Sequence, residues 1–501
     1  MRLRALLSRL ALTAVASGLA LNGLALPAHA ADEQDFAYVA IIAPETVTVI
    51  NGQTKTVKFD VYNISSTKTD NVAVAFGKTD AGLGFTAPAG CVDNTCQIGT
   101  LTPGQRKSVK FTVKPAAGGT APVGMIDVST TVAGLISDNV TITVARTDKG
   151  GVDLETADIA DVKLSPGKSV NVPVVVTNSG NKDVKALGLV VFSQGVTPLL
   201  AYRNCEKANE SGISVIVCVF NDTLPAGGSF TLPESTPLRV KVPAGTGGPF
   251  DYPVMVGAVG LSDKYVFDFA KRTAGAAGAE LKMESLASAA AGEPEPVEDL
   301  NEDDNLTEFS VSVAKTRADS AAIGGAFTGA IGAKASVQVG LRNRGPSSTV
   351  PPSVTWIQYV HVKLPTGVAL TKADERCLPG ESPTAIDETA SELADVTDLV
   401  CLVLEAVPAD KKYLFDLTAE ILDATEHKAG AVTVAGGVQD SKKADNKAVL
   451  KVELTAGGEG GGLPITGAPA GMIAVGGLVL LVAGVFAVRL ARRRRIVTIA
   501  G

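Results

Sequence analysis

Three markers recur in the same order around three pairs of cysteines, and this repeat restricts the fold of the 501-residue chain more than any other feature. Each copy begins with an alternating or β-branched segment that ends in an asparagine. A proline turn before another alternating segment comes next, and an Asp-Asn step opens the last one. Such segments between turn residues are typical of antiparallel strands. The markers therefore predict an all-β chain of three tandem β-sandwiches. The asparagines are Asn63, Asn178 and Asn343, the turns lie at Pro103, Pro225 and Pro408, and the steps are Asp138-Asn139, Asp304-Asn305 and Asp445-Asn446.

The three copies place the sandwiches in residues 31–147, 148–313 and 314–455. Two segments interrupt the strand pattern. Residues 271–298 are rich in Ala, Gly and Glu, and we predict a surface loop there in preference to a short helix. Residues 382–399 begin with Ser-Pro and an acidic first turn, which are helix-start signals, so we predict a short helix.

The N-terminus has the features of an export signal. Arginines at positions 2, 4 and 9 precede an apolar run, which ends shortly before a small-x-small triplet at residues 28–30. This order is typical of a secretory signal peptide over residues 1–30, with cleavage between Ala30 and Ala31. The rest of the chain is then expected outside the cytoplasm.

The six cysteines occur in three close pairs. In an exported protein, an even number of paired cysteines favours disulfides, here within each sandwich. Metal binding is the alternative. It is disfavoured because the first pair lacks the two-residue spacing of a zinc knuckle and the chain has only three histidines. The predicted pairs are Cys91 with Cys96, Cys205 with Cys218, and Cys377 with Cys401.

The C-terminus contains an apolar stretch of 17 residues, 472–488, without a charge. As a helix it would be about 25 Å long, slightly less than the roughly 30 Å of a hydrocarbon core. Five arginines follow it, and they would keep this end in the cytoplasm. We predict a transmembrane helix, which serves either as a lasting anchor or as a temporary stop for a chain that is cut upstream.

A short motif before this stretch favours the second role. A Gly-rich linker, residues 456–462, leads into Leu463, Pro464, Ile465, Thr466 and Gly467. With the apolar span and the arginines, residues 463–501 resemble the Leu-Pro-x-Thr-Gly sorting signal of Gram-positive, in particular actinobacterial, cell-wall proteins. The resemblance implies that a sortase cuts after the threonine and joins its carbonyl to peptidoglycan. The expected location is the cell wall, with a precursor that spans the membrane only during sorting.

The repeats themselves resemble immunoglobulin-like repeats of bacterial surface proteins, of the type seen in the CARDB and DUF11 families. Those families show an acidic stretch that ends in an asparagine just before the last strand. The segment PVEDLNEDDNLTEFSVSV in the second copy looks most like this pattern. The resemblance implies immunoglobulin-like sandwiches, and a fold of this class does not fix a function.

Charge and composition exclude several function classes. Removal of the signal peptide and of residues 467–501 takes away eight arginines and leaves 37 basic and 52 acidic side chains, a net charge of about −15. Such a chain is a poor candidate for binding nucleic acid, which needs basic patches. His361 and His427 are the only histidines outside the signal peptide, so no catalytic triad is expected. We predict no catalytic residues and no cofactor.

One acidic segment has a pattern that suggests calcium. Asp299, Asn301, Asp303 and Asn305 alternate as in the first half of a calcium loop, and oxygen ligands suit this ion. The sixth position of the loop would be Asp304 in place of Gly, and the twelfth would be Ser310 in place of Glu. The favoured interpretation is therefore a solvated acidic turn before the last strand.

These observations predict a non-enzymatic surface protein whose sandwiches act as a stalk or as adhesive modules. The expected partners are the sortase, peptidoglycan, the membrane during sorting, and an extracellular protein or glycan that the sequence does not identify. An enzyme associated with the cell wall is one alternative. A single-pass membrane protein that no sortase processes is the other.

Overall fold

The computed structural model describes residues 37–65, 67–77, 82–116, 123–210, 213–287, 299–353, 356–387, 392–423 and 426–455. The predicted signal peptide, the Gly-rich linker 456–462 and the sorting signal 463–501 lie outside these residues. In the described part of the chain, no helix is both long enough and apolar enough to cross a membrane. The described residues up to Leu454 belong to one compact unit.

The first sandwich consists of two sheets. Their strand orders are β1-β3-β7-β5 and β2-β9-β8-β4-β6. The strands are β1 (Val39–Ile42), β2 (Thr46–Ile50), β3 (Lys55–Asn63), β4 (Thr69–Phe76), β5 (Leu83–Thr86), β6 (Thr95–Leu101), β7 (Arg106–Pro115), β8 (Gly124–Val132) and β9 (Leu135–Thr147).

The second sandwich has one large sheet, β11-β22-β20-β14-β17-β16, opposite two smaller ones, β10-β13-β18-β21 and β12-β19-β15. It also carries the helix α1 (Asp263–Thr273). Its strands are β10 (Leu154–Thr156), β11 (Val162–Lys163), β12 (Ser169–Val172), β13 (Val175–Asn178), β14 (Leu187–Gln194), β15 (Thr197–Leu199), β16 (Cys205–Glu210), β17 (Ile213–Phe220), β18 (Ser229–Thr231), β19 (Leu238–Lys241), β20 (Phe250–Gly260), β21 (Glu284–Ala287) and β22 (Leu306–Val313).

The third sandwich repeats the two-sheet plan, with orders β23-β25-β31-β27 and β24-β33-β32-β26-β30-β28-β29. Single 3₁₀ turns lie at Leu393–Asp395 and Lys443–Asp445. The strands are β23 (Ser320–Ile323), β24 (Gly325–Gly329), β25 (Lys334–Asn343), β26 (Gln358–Lys363), β27 (Val368–Lys372), β28 (Cys377–Ser382), β29 (Ala385–Ile386), β30 (Asp398–Val403), β31 (Lys412–Ile421), β32 (Gly430–Val434) and β33 (Lys447–Leu454).

All three sandwiches begin in the same way, with a strand segment that changes sheets. Its first half pairs antiparallel with the next strand, as β1 with β3, β10 with β13 and β23 with β25. Its second half pairs parallel with the last strand, as β2 with β9, β11 with β22 and β24 with β33. Two facing sheets with this strand order form an immunoglobulin-like sandwich. The predicted all-β, immunoglobulin-like fold is confirmed.

Alternating side chains build a separate core in each sandwich. In β3, for example, Val57, Phe59 and Val61 are buried between more exposed neighbours. Because successive side chains of a strand point to opposite faces, this pattern fills the space between the sheets. The cores contain Phe59 and Phe111, then Phe220 and Phe230, then Phe327 and Phe415.

The structure differs from the expected loop and helix at two places. Helix α1 begins after the capping residue Ser262 and packs Phe269 onto a small apolar cluster of the second sandwich. It ends at residue 273 and so includes the first residues of the predicted loop. Strand β21 lies in the same segment. The helix predicted at 382–399 is wrong. Ser382 ends strand β28, and the described residues there form strands and one 3₁₀ turn, because the Ser-Pro step starts a hairpin turn.

Candidate functional site: the joint between the first two sandwiches

Lys55 of the first sandwich is buried among carboxylates of the second. It begins strand β3 at an inward position and is only 5% exposed. Its Nζ lies 2.6 Å from Asp153 Oδ2, 2.5 Å from Glu155 Oε1 and 2.7 Å from Asp304 Oδ2. Asp153 and Glu155 lie at the start of the second sandwich, and Asp304 precedes its last strand. The three acids meet because β10 lies beside the segment that enters β22.

The cluster holds three acidic side chains for one ammonium group, and the pKa of Asp304 reflects this excess. Burial raises the pKa of Asp304 to about 8, since burial and the charges of Asp153 and Glu155 together outweigh the attraction of Lys55. Burial alone would lower the pKa of Lys55, but the neighbouring carboxylates outweigh it and raise the pKa. Asp304 is therefore largely protonated at neutral pH, while Lys55 stays charged.

Asn301 joins the two sandwiches through backbone groups. Its Oδ1 accepts from the N–H of Thr48 at 2.7 Å, and its Nδ2 donates to the carbonyl of Thr48 at 2.9 Å. The same Nδ2 donates to Asp153 Oδ1 at 3.0 Å. The amide thus bonds to strand β2 as a neighbouring strand would, and it fixes the acidic segment against the first sandwich.

Further ion pairs surround this buried centre. Arg106 lies 2.7 Å from Glu308, and Asp158 lies 2.7 Å from Lys58 and 2.6 Å from Lys110. The cations belong to strands β3 and β7, and the acids belong to the second sandwich. Although burial would raise the pKa of Asp158, hydrogen bonds from the two lysines outweigh this effect and lower it. The two surfaces are complementary in charge.

The calcium candidates lie in this joint, where protein groups already bond to them. The carboxylate of Asp299 accepts from the N–H groups of Leu154 and Asn301, each at 2.9 Å. Burial raises the pKa of Asp299 to about 6. Asn305 is buried and Asp303 is exposed. Among the described residues, no group of three or more His, Cys, Asp or Glu side chains has the arrangement of a metal site. The calcium hypothesis stays a prediction, and the cation in this cluster is the Lys55 ammonium.

The predicted disulfides are present. Cys205 and Cys218 lie directly opposite each other on β16 and β17, and Cys377 and Cys401 do so on β28 and β30. The third bridge, Cys91–Cys96, closes a short loop before β6. Each disulfide therefore stabilises one sandwich and leaves the joints between sandwiches to other contacts.

The second joint is made of uncharged groups. Ser348 donates its N–H to the carbonyl of Gly245 at 2.7 Å, and Thr316 donates to the carbonyl of Gly248 at 2.9 Å. A Cβ atom on Gly247 would collide with the backbone carbonyls of Ser348 and Thr349. The loop of the second sandwich thus packs directly against the backbone of the third.

The two histidines outside the predicted signal peptide contact neighbouring groups of the third sandwich. His361 Nε2 lies 2.8 Å from Asp398 on the neighbouring strand, and His427 Nδ1 contacts the carbonyl of Thr366. The cleavage position Ala30-Ala31 and the sorting motif 463–467 lie outside the described residues.

Sequence reasoning missed Lys55 and its acidic partners. A signal was present, since Lys55 occupies the inward register of β3 ahead of Val57, Phe59 and Val61. A charged residue in the buried register of a strand predicts a paired charge. The sequence could not name the partners.

No protein-family model matches the chain, and no curated protein sequence matches it. The chain is similar to the solved structure of a chimeric titin Z1Z2 that carries an exogenous KLER peptide from decorin, with 11% identity and a TM-score of 0.15, over 56% of this chain and 98% of that one. It is also similar to a protein of unknown function from Porphyromonas gingivalis W83, with 13% identity and a TM-score of 0.15, over 44% and 92% of the two chains.

Proposed function

We propose that this chain is a non-enzymatic surface protein that a sortase joins to peptidoglycan, and that its three sandwiches act as a stalk. Residues 1–30 direct export, and the sortase cuts between Thr466 and Gly467. Residues 472–488 hold the precursor in the membrane until that step. The sequence pattern at both ends of the chain supports this part of the proposal.

The observation that carries the stalk role is the burial of Lys55 between three carboxylates of the next sandwich. Lys55 can reach all three acidic groups, at 2.5–2.7 Å, in only one relative orientation of the two sandwiches, so the contacts act on specificity of orientation. The joint therefore favours one relative orientation over free rotation. The segment between β9 and β10 is also short, running from Thr147 to Leu154. A fixed joint of this kind suits a spacer that holds a site away from a surface.

Cell fractionation of a Thr466→Ala variant tests wall attachment. The wild-type protein should remain with peptidoglycan after boiling in detergent and come free only after muralytic digestion. Thr466→Ala should leave the full precursor in the detergent-soluble membrane fraction, because the sortase acts on this carbonyl only when the residue that carries it is the threonine of the motif. Thr498→Ala, in the tail that is removed, should behave as the wild type.

Mass spectrometry of the C-terminal peptide gives the decisive result. Most mature chains should end at Thr466 and carry a peptidoglycan fragment. If detergent alone extracts the wild-type chain with its arginines 492–495 intact, the sorting proposal is wrong. The protein is then a single-pass membrane protein.

A further inference from the structure

Among the described residues of the first sandwich, no strand pairs with the N-terminal half of β7 on the side away from β3. Strand β3 pairs with β7 from Arg106 to Val113, whereas β5 pairs on the other side only with residues 112–115. The N–H of Asn63 bonds to the carbonyl of Gln105, so every second residue from 105 onward bonds toward β3. Ser108 and Lys110 therefore direct their backbone N–H and carbonyl groups away from β3, toward the open side.

The three sandwiches can be aligned through their buried asparagines. The N–H of each asparagine donates to the carbonyl of the residue directly before an equivalent strand, which is β7, β18 or β31. The residues three positions after these acceptors are equivalent to one another, and they are Ser108, Thr231 and Leu414. One position before these lie Lys107, Phe230 and Tyr413.

The equivalent edge is covered in the other two sandwiches. In the second, strand β21 pairs antiparallel with β18 at Thr231. In the third, Arg376 Nη2 donates to the carbonyl of Leu414 at 2.8 Å. The Asp374 carboxylate there accepts a hydrogen bond from the backbone of Asp416. Among the described residues of the first sandwich, neither a paired strand nor a pair of charged side chains covers this edge.

The position beside this edge also differs. Phe230 is 2% exposed and fills the core of the second sandwich, and Tyr413 packs on Phe415 in the third. The first sandwich has Lys107 there, whose exposed side chain reaches across to the carbonyl of Ile98 at 2.9 Å. The space that an aromatic ring takes elsewhere is part of a cleft of about 440 Å³.

The chemistry of this cleft indicates what fits it. Pro88, Ile98, Val109 and the Cys91–Cys96 disulfide form its apolar part. Its polar part consists of Gln97, Lys107, Ser108, Lys110 and Asp158, of which Lys110 and Asp158 pair with each other at 2.6 Å. Lys107 makes its hydrogen bond to a carbonyl and no ion pair with another described residue. An apolar side chain with a carboxylate nearby would therefore be complementary to the cleft, and an open strand edge binds extended peptide backbone.

We propose that the β7 edge and its cleft are a docking site for an extended segment of a partner protein. The segment pairs antiparallel with Ser108 and Lys110, as β21 pairs with β18. It places an aromatic or large aliphatic side chain in the cleft and a carboxylate beside Lys107. This inference goes beyond the stalk role and does not depend on wall attachment, which the fractionation experiment tests separately.

Peptide binding to the purified fragment 31–462, which contains the whole described unit, tests the proposal. The probes are fluorescein-labelled octapeptides based on residues 282–289, which include β21, with Phe, Tyr, Trp or Leu in place of Ser285. At least one should bind with a Kd between about 10 μM and 1 mM by fluorescence anisotropy. The same peptide with N-methylated backbone at alternate residues should not bind, since it cannot pair with the edge.

Two protein variants test whether peptide binding requires the cleft or another part of the surface. Lys107→Phe supplies the ring found in the second sandwich and should weaken binding at least about tenfold. Lys114→Phe, at an exposed position of the same strand, should bind as the wild type does. Melting curves confirm that both variants fold. In the wild type, bound peptide should slow amide exchange at Ser108 and Lys110.

Three results would overturn the proposal. The first is that no peptide of the panel binds below about 1 mM. The second is equal binding by Lys107→Phe and Lys114→Phe. The third is protection of amides in another strand while those of Ser108 and Lys110 exchange unchanged.

Discussion

At the residue scale, three fully buried asparagines hold equivalent turns in the three sandwiches. The Nδ2 group of each donates to the carbonyl four residues later, and its Oδ1 accepts from the N–H two residues later. A buried side chain that satisfies several backbone groups cannot be replaced without leaving those groups unpaired. The sequence pattern identified these residues as repeat markers, but their hydrogen bonds became visible only in the fold. They are Asn63, Asn178 and Asn343.

The third of these asparagines offers a test. Asn343 donates to the carbonyls of Ser347 and Val407 at 2.7 and 2.8 Å and accepts from two backbone N–H groups. Asn343→Ala should destabilise the third sandwich by about 2–4 kcal/mol, because buried backbone groups lose their partner. Calorimetry of the fragment 31–462 should show one lowered transition. Asn209→Ala, at an exposed position, is the control and should change stability by less than about 0.5 kcal/mol.

Asp304 makes the stability of the first joint depend on pH. Its pKa of about 8 in the folded protein lies well above the usual 3.8, so the folded state holds the proton more tightly. Stability is then lost as the pH rises from about 4 to about 8. Asp304→Asn removes this loss, and its melting temperature should exceed that of the wild type most clearly above pH 8.

Melting curves between pH 4 and pH 9 check this prediction. Asp303→Asn, at the exposed neighbouring position, should keep the pH dependence of the wild type. A parallel fall of the wild type and Asp304→Asn with pH would show that another group controls it.

At the element scale, the sequence pattern was sufficient to predict the strands, but not the segments that interrupt them. Strand β3 shows regular alternation, so local sequence was sufficient. Helix α1 was missed although Ser262 and the basic last turn are helix signals, because it buries only Phe269 and merges into an Ala/Gly-rich segment. The helix expected at 382–399 failed for the opposite reason. Its local signals were overridden by the strands that the Cys377–Cys401 bridge connects.

The disulfides should stabilise their sandwiches unequally. The Cys377–Cys401 bridge has a sequence separation of 24 and the Cys91–Cys96 bridge one of 5. In the loop-entropy model, the longer loop contributes about 3.5 kcal/mol and the shorter one about 2 kcal/mol. Replacing both cysteines of a pair by alanine should therefore lower the transition of the third sandwich more than that of the first. Calorimetry of the two double variants measures the order, and the reverse order would contradict this account.

At the scale of the whole molecule, the joints were beyond sequence reasoning. Lys55 meets Asp153 across 98 residues, and Asn301 meets Thr48 across 253. A pattern in one strand can indicate that a charge needs a partner, but only the folded chain brings these partners together. Local sequence patterns could therefore indicate strands, but they could not indicate the contacts between sandwiches.

Removal of the buried cation should loosen the first joint. Lys55→Met leaves Asp153, Glu155 and Asp304 without their ammonium partner and should cost about 3–5 kcal/mol. Distances between spin labels on the first two sandwiches should change from a narrow to a broad distribution. Lys114→Met, at an exposed position of the same sandwich, should keep the narrow one. Equally narrow distributions in all three proteins would show that the joint does not depend on Lys55.

The strand segment that changes sheets also determines how each sandwich would respond to pulling. Its second half lies parallel to the last strand, so tension between the two chain ends loads their hydrogen bonds in shear, all at once. The number of paired residues then sets the resistance to rupture. Strands β2 and β9 share five pairs, as do β24 and β33, whereas β11 and β22 share only two. In single-molecule force spectroscopy the second sandwich should therefore rupture first, and the other two should act as the mechanically strong parts of the chain.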